Sequence, residues 1–316
     1  MSKTLDAAVE LAGEIDFDIR EGRFQRWLAL MAAMSSVLSG LEVGYEHYRG
    51  SYSRRVMYTP VILSGALAGA AIAGFFSKRL ARTLLPSVSA ITLADGLLGF
   101  YFHVRGVKRK PGGWRLPITN IVMGPPIFAP LLFGLAAYLG LIASFLRRSD
   151  SGDDNLMPRA AHEKHWGKSL TGEFESISWT QDIREGRFQK QLAIATAISA
   201  FFSGFEAWYS HYKNNFRYKA QWTPVIIAPL LMAAGLGAIK NKRIAHTVLP
   251  ALSVAAMADG AVGFAYHARG VMRRPGGLKK PIYNIIYGPP IFAPLLFAAS
   301  GFLGLLASLL RREKRS

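Results

Sequence analysis

Four stretches of this chain contain no Asp, Glu, Lys or Arg: Val56–Ser77, Leu116–Leu146, Ala220–Ile239 and Pro281–Leu310. A helix of roughly 20 apolar residues crosses a hydrocarbon core about 30 Å thick, so blocks of this length predict membrane spans. Composition agrees. The 316 residues are 51% hydrophobic and 18% charged, against about a quarter charged in an ordinary soluble domain.

The blocks belong to a duplication. "DIREGRFQ" begins at Asp18 and again at Asp182, an offset of 182 − 18 = 164. The same offset links Glu42 to Glu206, His47 to His211, Asp95 to Asp259, His103 to His267, and "GPPIFAPLLF" at Gly124 to its twin at Gly288. The chain therefore divides into a polar N-terminal segment (1–17), a first repeat (18–148), a polar linker (149–181) and a second repeat (182–316). A long period with no third copy suggests two pseudo-symmetric halves rather than a solenoid.

Each repeat reads as four spanning helices, giving an all-α integral membrane protein of eight spans. In the first repeat they cover about Arg26–Tyr48, Thr59–Phe76, Thr83–Val104 and Pro125–Leu146. In the second they cover Gln191–Tyr212, Thr223–Ile239, Thr247–Ala268 and Pro289–Leu310. Asp18 and Glu21 form a capping pattern that starts a helix near Ile19. The prolines at 125, 126 and 130 predict irregular backbone over Asn120–Gly124, tolerated in a membrane only where protein or water surrounds it. An even number of spans makes the halves parallel, with both termini on one face (side A). Lys and Arg are almost evenly divided between the faces, so the positive-inside rule does not orient the chain. The N-terminus lacks a signal-peptide pattern, which places the termini in the cytoplasm and the protein in a bacterial cytoplasmic membrane.

Several chemistries are excluded. Without cysteine there is no disulfide, Fe–S cluster or thiolate zinc site. No P-loop, nucleophile elbow or HExxH sequence is present, so no autonomous catalytic motif defines an enzyme. "PGG" at Pro111 and Pro275 is turn chemistry, and "HEKH" at His162 falls in the polar linker. The net charge of +18 points to basic loops on anionic lipid headgroups rather than to nucleic acid. The loops of the opposite face (side B) carry basic residues and no acid, an arrangement that gathers anions.

The ionisable residues inside the spans are the candidate site. His47, His103, His211 and His267 sit at one depth near side B. Paired across a bundle they would ligate a b-type haem or another metal, with Arg105 and Arg269 at hand for propionates. Glu46 has become Ser210 and Lys108 has become Met272, while all four histidines persist. The plain alternative is interfacial histidines at headgroup level.

Glu42, Asp95, Glu206 and Asp259 lie deeper, with no Lys or Arg at their depth. A charge there is costly, so each must face the bundle interior and be protonated, hydrogen-bonded or matched to a cation. About 7.5 Å of helix rise separates Glu42 from His47, and about 12 Å separates Asp95 from His103, so acids and histidines form layers rather than one metal shell. Three classes of function follow. One is an electron-transfer or quinone-interacting subunit with haem, docked to a dehydrogenase or other membrane-complex subunit, the acids handling protons. Another is a proton- or cation-coupled transporter of an anionic substrate. A scaffold without chemistry is the third reading.

Overall fold

The computed structural model describes residues 25–146 and 189–309, and all regular structure among them is helical. The first segment comprises α1 (Gln25–Arg49), α2 (Thr59–Phe76), α3 (Lys78–Arg82), α4 (Leu84–Lys108), α5 (Pro117–Val122) and α6 (Ala129–Leu146). The second comprises α7 (Gln189–Lys213), α8 (Thr223–Lys240), α9 (Lys242–His246), α10 (Val248–Met272), α11 (Pro281–Ile286) and α12 (Ala293–Leu309). The capping pattern at Asp18, the linker and His162 lie outside the described residues.

Six helical stretches are long and apolar enough to cross a membrane: Gln25–Arg49, Arg55–Phe76, Lys78–Lys108, Gln189–Lys213, Lys219–Lys240 and Lys242–Met272. Such a set is compatible with an integral membrane protein. α6 and α12 are apolar but shorter. The cause is local. Pro125 and Pro126 lack backbone N–H groups and restrict the residues before them, so Leu116–Leu146 divides into α5, a non-helical passage at 123–128, and α6. The irregular stretch thus begins three residues later than the composition predicts, since Asn120–Val122 are helical.

The turn before α5 is built by its sequence. Gly112 and Gly113 adopt φ of 80° and 47°, a region open to glycine at little cost. The buried Asn120 donates from Nδ2 to the carbonyls of Pro111 and Gly113 at 3.0 and 2.7 Å. Asn284 makes the same pair of bonds to Pro275 and Gly277.

Packing joins the helices into a continuous core. In the first segment α1, α2, α4 and α6 follow one another around a bundle, with α1 and α4 at opposite corners. α7, α8, α10 and α12 do the same in the second. The segments meet where α6 touches α7 and α12 touches α1. A central bundle of α1, α6, α7 and α12 results, flanked by α2 and α4 on one side and by α8 and α10 on the other. Its core is small and aliphatic, with Leu28, Ala32, Ala137, Ile142, Leu192 and Ala200 almost fully buried. Hydroxyls bridge helices where lipid offers no partner. Ser36 Oγ donates to the Ser64 carbonyl at 2.9 Å, and Ser199 and Ser300 bond to each other.

Close approach sets the heights of α6 and α12. A Cβ at Gly96 would lie 2.8 Å from the carbonyl oxygen of Pro130, and Gly260 faces Pro294 in the same way. Gly65 and Gly69 on the outer face of α2 meet nothing within 4 Å. Gly96→Ala is therefore expected to lower stability by about 1–3 kcal/mol through overpacking. Gly65→Ala should be neutral or slightly stabilising, because alanine is the better helix former. Thermal unfolding of the detergent-solubilised variants measures the difference.

Candidate functional site

The two non-helical passages place the N-termini of α6 and α12 within the central bundle. Phe128 and Phe292 are their N-caps, each accepting from the backbone N–H groups three and four residues on. The first N–H groups of a helix have no intrahelical partner and carry the positive end of its dipole. Proline follows Ala129 and Ala293 directly, so each terminus has fewer donors than an ordinary helix.

Glutamates from the opposite segment meet these termini. The carboxyl of Glu42 of α1 lies beside the backbone of Phe292, and that of Glu206 of α7 beside the backbone of Ala129. Each segment thus brings a carboxyl to the start of the last helix of the other. Tyr45 Oη also donates to Glu42 Oε1 at 2.7 Å. The two carboxyls lie within electrostatic reach of each other, with Glu46 nearby. Glu42 Oε2 and Glu206 Oε1 are buried without a hydrogen-bond partner.

An aromatic cluster closes the centre on the first-segment side. The Phe128 ring stacks on Phe202 at 4.6 Å between centroids and meets Phe205 and Phe201 edge-on at 5.1 and 5.5 Å. Phe100 of α4 approaches at 6.2 Å. Toward side B, Arg49 pairs with Glu46 at 3.2 Å. Lys213 projects over the Tyr209 ring, within electrostatic reach of Glu46, Arg49 and Lys110.

The other sequence-derived residues sit away from this centre. Asp95 accepts from Thr59 Oγ1 at 2.7 Å, and Asp259 from Thr223 Oγ1 at 2.5 Å. Both aspartates are half-buried. Asp95 opens to an apolar surface groove of about 440 Å³ between α2 and α4, lined by Ile62, Ile91 and Leu98 among others. His103 and His267 are hydrogen-bonded through Nδ1 to the carbonyls of Pro126 and Pro290, each at 2.5 Å. His47 Nδ1 bonds to the Met57 carbonyl at 2.7 Å. A carbonyl only accepts, so Nδ1 is the protonated nitrogen in these three rings and Nε2 is left to another partner. His47 lies within electrostatic reach of both His103 and Asp95, and His211 of His267. Arg105 and Arg269 are exposed. Among the described residues, no group of three or more His, Asp or Glu is placed to hold a metal ion.

The four acids therefore divide into an interior glutamate pair and two aspartates on the outer flanks, a division that sequence depth did not show. Also missed were the approach of the glutamates to the backbone of Phe292 and Ala129, the threonine partners of the aspartates, and the role of Phe128. A signal for the last existed: "FFSGF" at Phe201 replaces "VLSGL" at Val37, an enrichment confined to the helix that meets α6. No protein-family model matches this sequence, and no curated protein or solved structure shows significant similarity to it.

The approach of its carboxyl to the start of α6 makes a specific prediction for Glu206. Glu206→Gln retains an acceptor for the Ala129 N–H and should preserve stability. Glu206→Leu removes it and should cost about 0.5–2 kcal/mol, the range for loss of a helix cap. Thermal melts of the two variants decide this.

Proposed function

We propose that this chain is an eight-span membrane transporter, built as two parallel four-helix repeats, that couples proton movement to an anionic substrate through Glu42 and Glu206. The observation that carries this reading is a pair of partly buried glutamates from different segments within electrostatic reach of each other, each with a buried oxygen that lacks a partner. Two neighbouring negative charges are costly in a medium of low dielectric, so the pair holds a positive charge between them, most simply a proton. The 164-residue offset between α1 and α7, and between α6 and α12, supports a repeat interface at this centre. Ligand sites of repeat-built transporters lie at such interfaces, beside helix ends interrupted within the membrane. The acid-free basic loops of side B supply the attraction for an anion.

Proton flux tests the proposal. Protein reconstituted in liposomes with an enclosed pH indicator should move protons when an inward gradient of chloride, nitrate or inorganic phosphate is imposed. Glu42→Gln and Glu206→Gln, eluting as the wild type does in gel filtration, should lose that coupling. Flux unchanged in both variants, or absent with all three anions, contradicts the reading.

The histidines favour a second reading, an electron-transfer subunit that interacts with quinone and docks to a partner of a membrane complex. Nδ1 bonded to a carbonyl leaves Nε2 oriented as a metal ligand requires, and a b-type haem takes two axial histidines. His47 with His103, and His211 with His267, are the pairs. Protein purified from haem-replete cells should then show a Soret band and a sharp α band on reduction, both lost in His103→Ala and His267→Ala. A colourless preparation overturns this reading and leaves the first intact.

A further inference from the structure

We propose that the groove between α2 and α4 is a binding site, entered sideways from the bilayer, for a lipophilic organic cation that exchanges for a proton on Asp95. The Thr223–Asp259 pair of the second segment is its counterpart. The inference is independent of the transport reading and makes no use of the central glutamates.

Three observations carry it. The first is the place. The groove encloses about 440 Å³, within the range of sites for drug-sized molecules. Its walls include Ile62, Ile91 and Leu98, all exposed on the outer flank of the bundle, so a ligand reaches it through lipid. The second is an isolated acid. Asp95 is the one charged residue of the lining, and it forms no ion pair with any described residue. His47 of α1 is within electrostatic reach of it. Arg55 and Tyr58 precede α2 on side B, and Tyr101 and His103 follow Asp95 along α4. α2 itself has no titratable residue. α6 has only Tyr138, between Gly134 and Gly140, which approach Leu93 and Ser89. The bases of α3 stand at the opposite end of α2.

The third observation is a hydrogen count. Thr59 Oγ1 lies 2.9 Å from the Val56 carbonyl oxygen and 2.7 Å from Asp95 Oδ1. A hydroxyl has one hydrogen and a carbonyl has none. Both contacts are hydrogen bonds only when Asp95 is protonated and donates to Thr59, which donates in turn to Val56. Ala220, Thr223 and Asp259 repeat the arrangement at 2.8 and 2.5 Å. It suits a neutral carboxyl, and an unpaired charge beside lipid chains is costly.

Charge then selects the ligand. A neutral molecule in the groove leaves the proton where it is. A cation supplies the opposite charge that a carboxylate needs in a medium of low dielectric. Asp95 then releases its proton to solvent, accepts from Thr59, and offers its other oxygen to the cation. Departure of the cation reverses each step. No bond is made or broken except to the proton.

Equilibrium dialysis of tetraphenylphosphonium against the full chain in nanodiscs, with protein-free nanodiscs as the blank, tests the site. A pH electrode in weak buffer records released protons. Asp259→Asn isolates the first groove. That chain should release about one proton per cation, and its affinity should rise about tenfold per pH unit while the carboxyl is protonated, the slope of a single exchanged proton. Neutral triphenylphosphine oxide should release none. Adding Asp95→Asn, which keeps the shape of the side chain, should lower affinity by at least about tenfold, as loss of a charge partner does, and should end the release. Ile62→Trp, which fills the groove and keeps the acid, should weaken binding as well. Elution with the wild type in gel filtration shows that each variant is folded. Absence of binding, an affinity that does not change with pH, proton release that survives Asp95→Asn, or binding indifferent to Ile62→Trp overturns the proposal. None of these results bears on proton flux through Glu42 and Glu206, so the two readings fail separately.

Discussion

The contact on which this structure depends is a carboxylate from one segment against the free N-terminus of a helix in the other. Each glutamate and each helix start is partly covered by the helices around it. In lipid few other partners are at hand, Tyr45 beside Glu42 being one, and an unsatisfied polar group there costs several kcal/mol. The two deficits are matched by bringing α1 against α12 and α7 against α6. The central bundle is therefore held by polar necessity as well as by its aliphatic core. The hydrophobic effect gives little driving force between helices already surrounded by lipid chains.

The broken fourth helix makes that contact possible. Had Leu116–Leu146 formed one continuous span, its N-terminus would lie at the membrane face, within reach of water and headgroups. Glu206 would then face a helix side with no donors. The Pro-Pro and Ala-Pro pairs around Phe128 move the terminus inward, and Gly96 lets α4 approach Pro130 closely enough to fix its height. Loop composition, helix packing and the candidate site are in this sense one construction.

Much of the frame could be read in the residues. The charge-free blocks mark helices, and Thr59-Pro60 marks the start of α2 where the structure begins it. Pro-Gly-Gly marks the turns. The need for hydroxyl partners at the acids is met by Thr59, Thr223 and Tyr45. Other features could not be read. Depth along a helix places Glu42 and Asp95 in neighbouring layers, but the direction of a side chain around the axis depends on which helices are neighbours. That is a tertiary fact with no local signature, and it sends Glu42 to the centre and Asp95 to the outer groove. The extent of the last helix of each repeat was also overestimated. Hydropathy registers Pro125–Phe128 as apolar, whereas its proline pair prevents the backbone from continuing as a helix.

The docking of α6 against α7 brings the two segments together. The chain has no native cysteine, so a single pair can be introduced without background. Phe128→Cys with Phe202→Cys, in a chain carrying a protease site between residues 149 and 181, can be treated in membranes with a short bifunctional thiol reagent and then cleaved. If Phe128 stacks on Phe202 as described, the two fragments will migrate as one on a denaturing gel, and a control pairing Phe128→Cys with Ile226→Cys, exposed on the outer face of α8, will leave them separate. Fragments that separate from the 128–202 pair as completely as from a protein without cysteine would contradict the meeting of the segments and the carboxyl centre that depends on it.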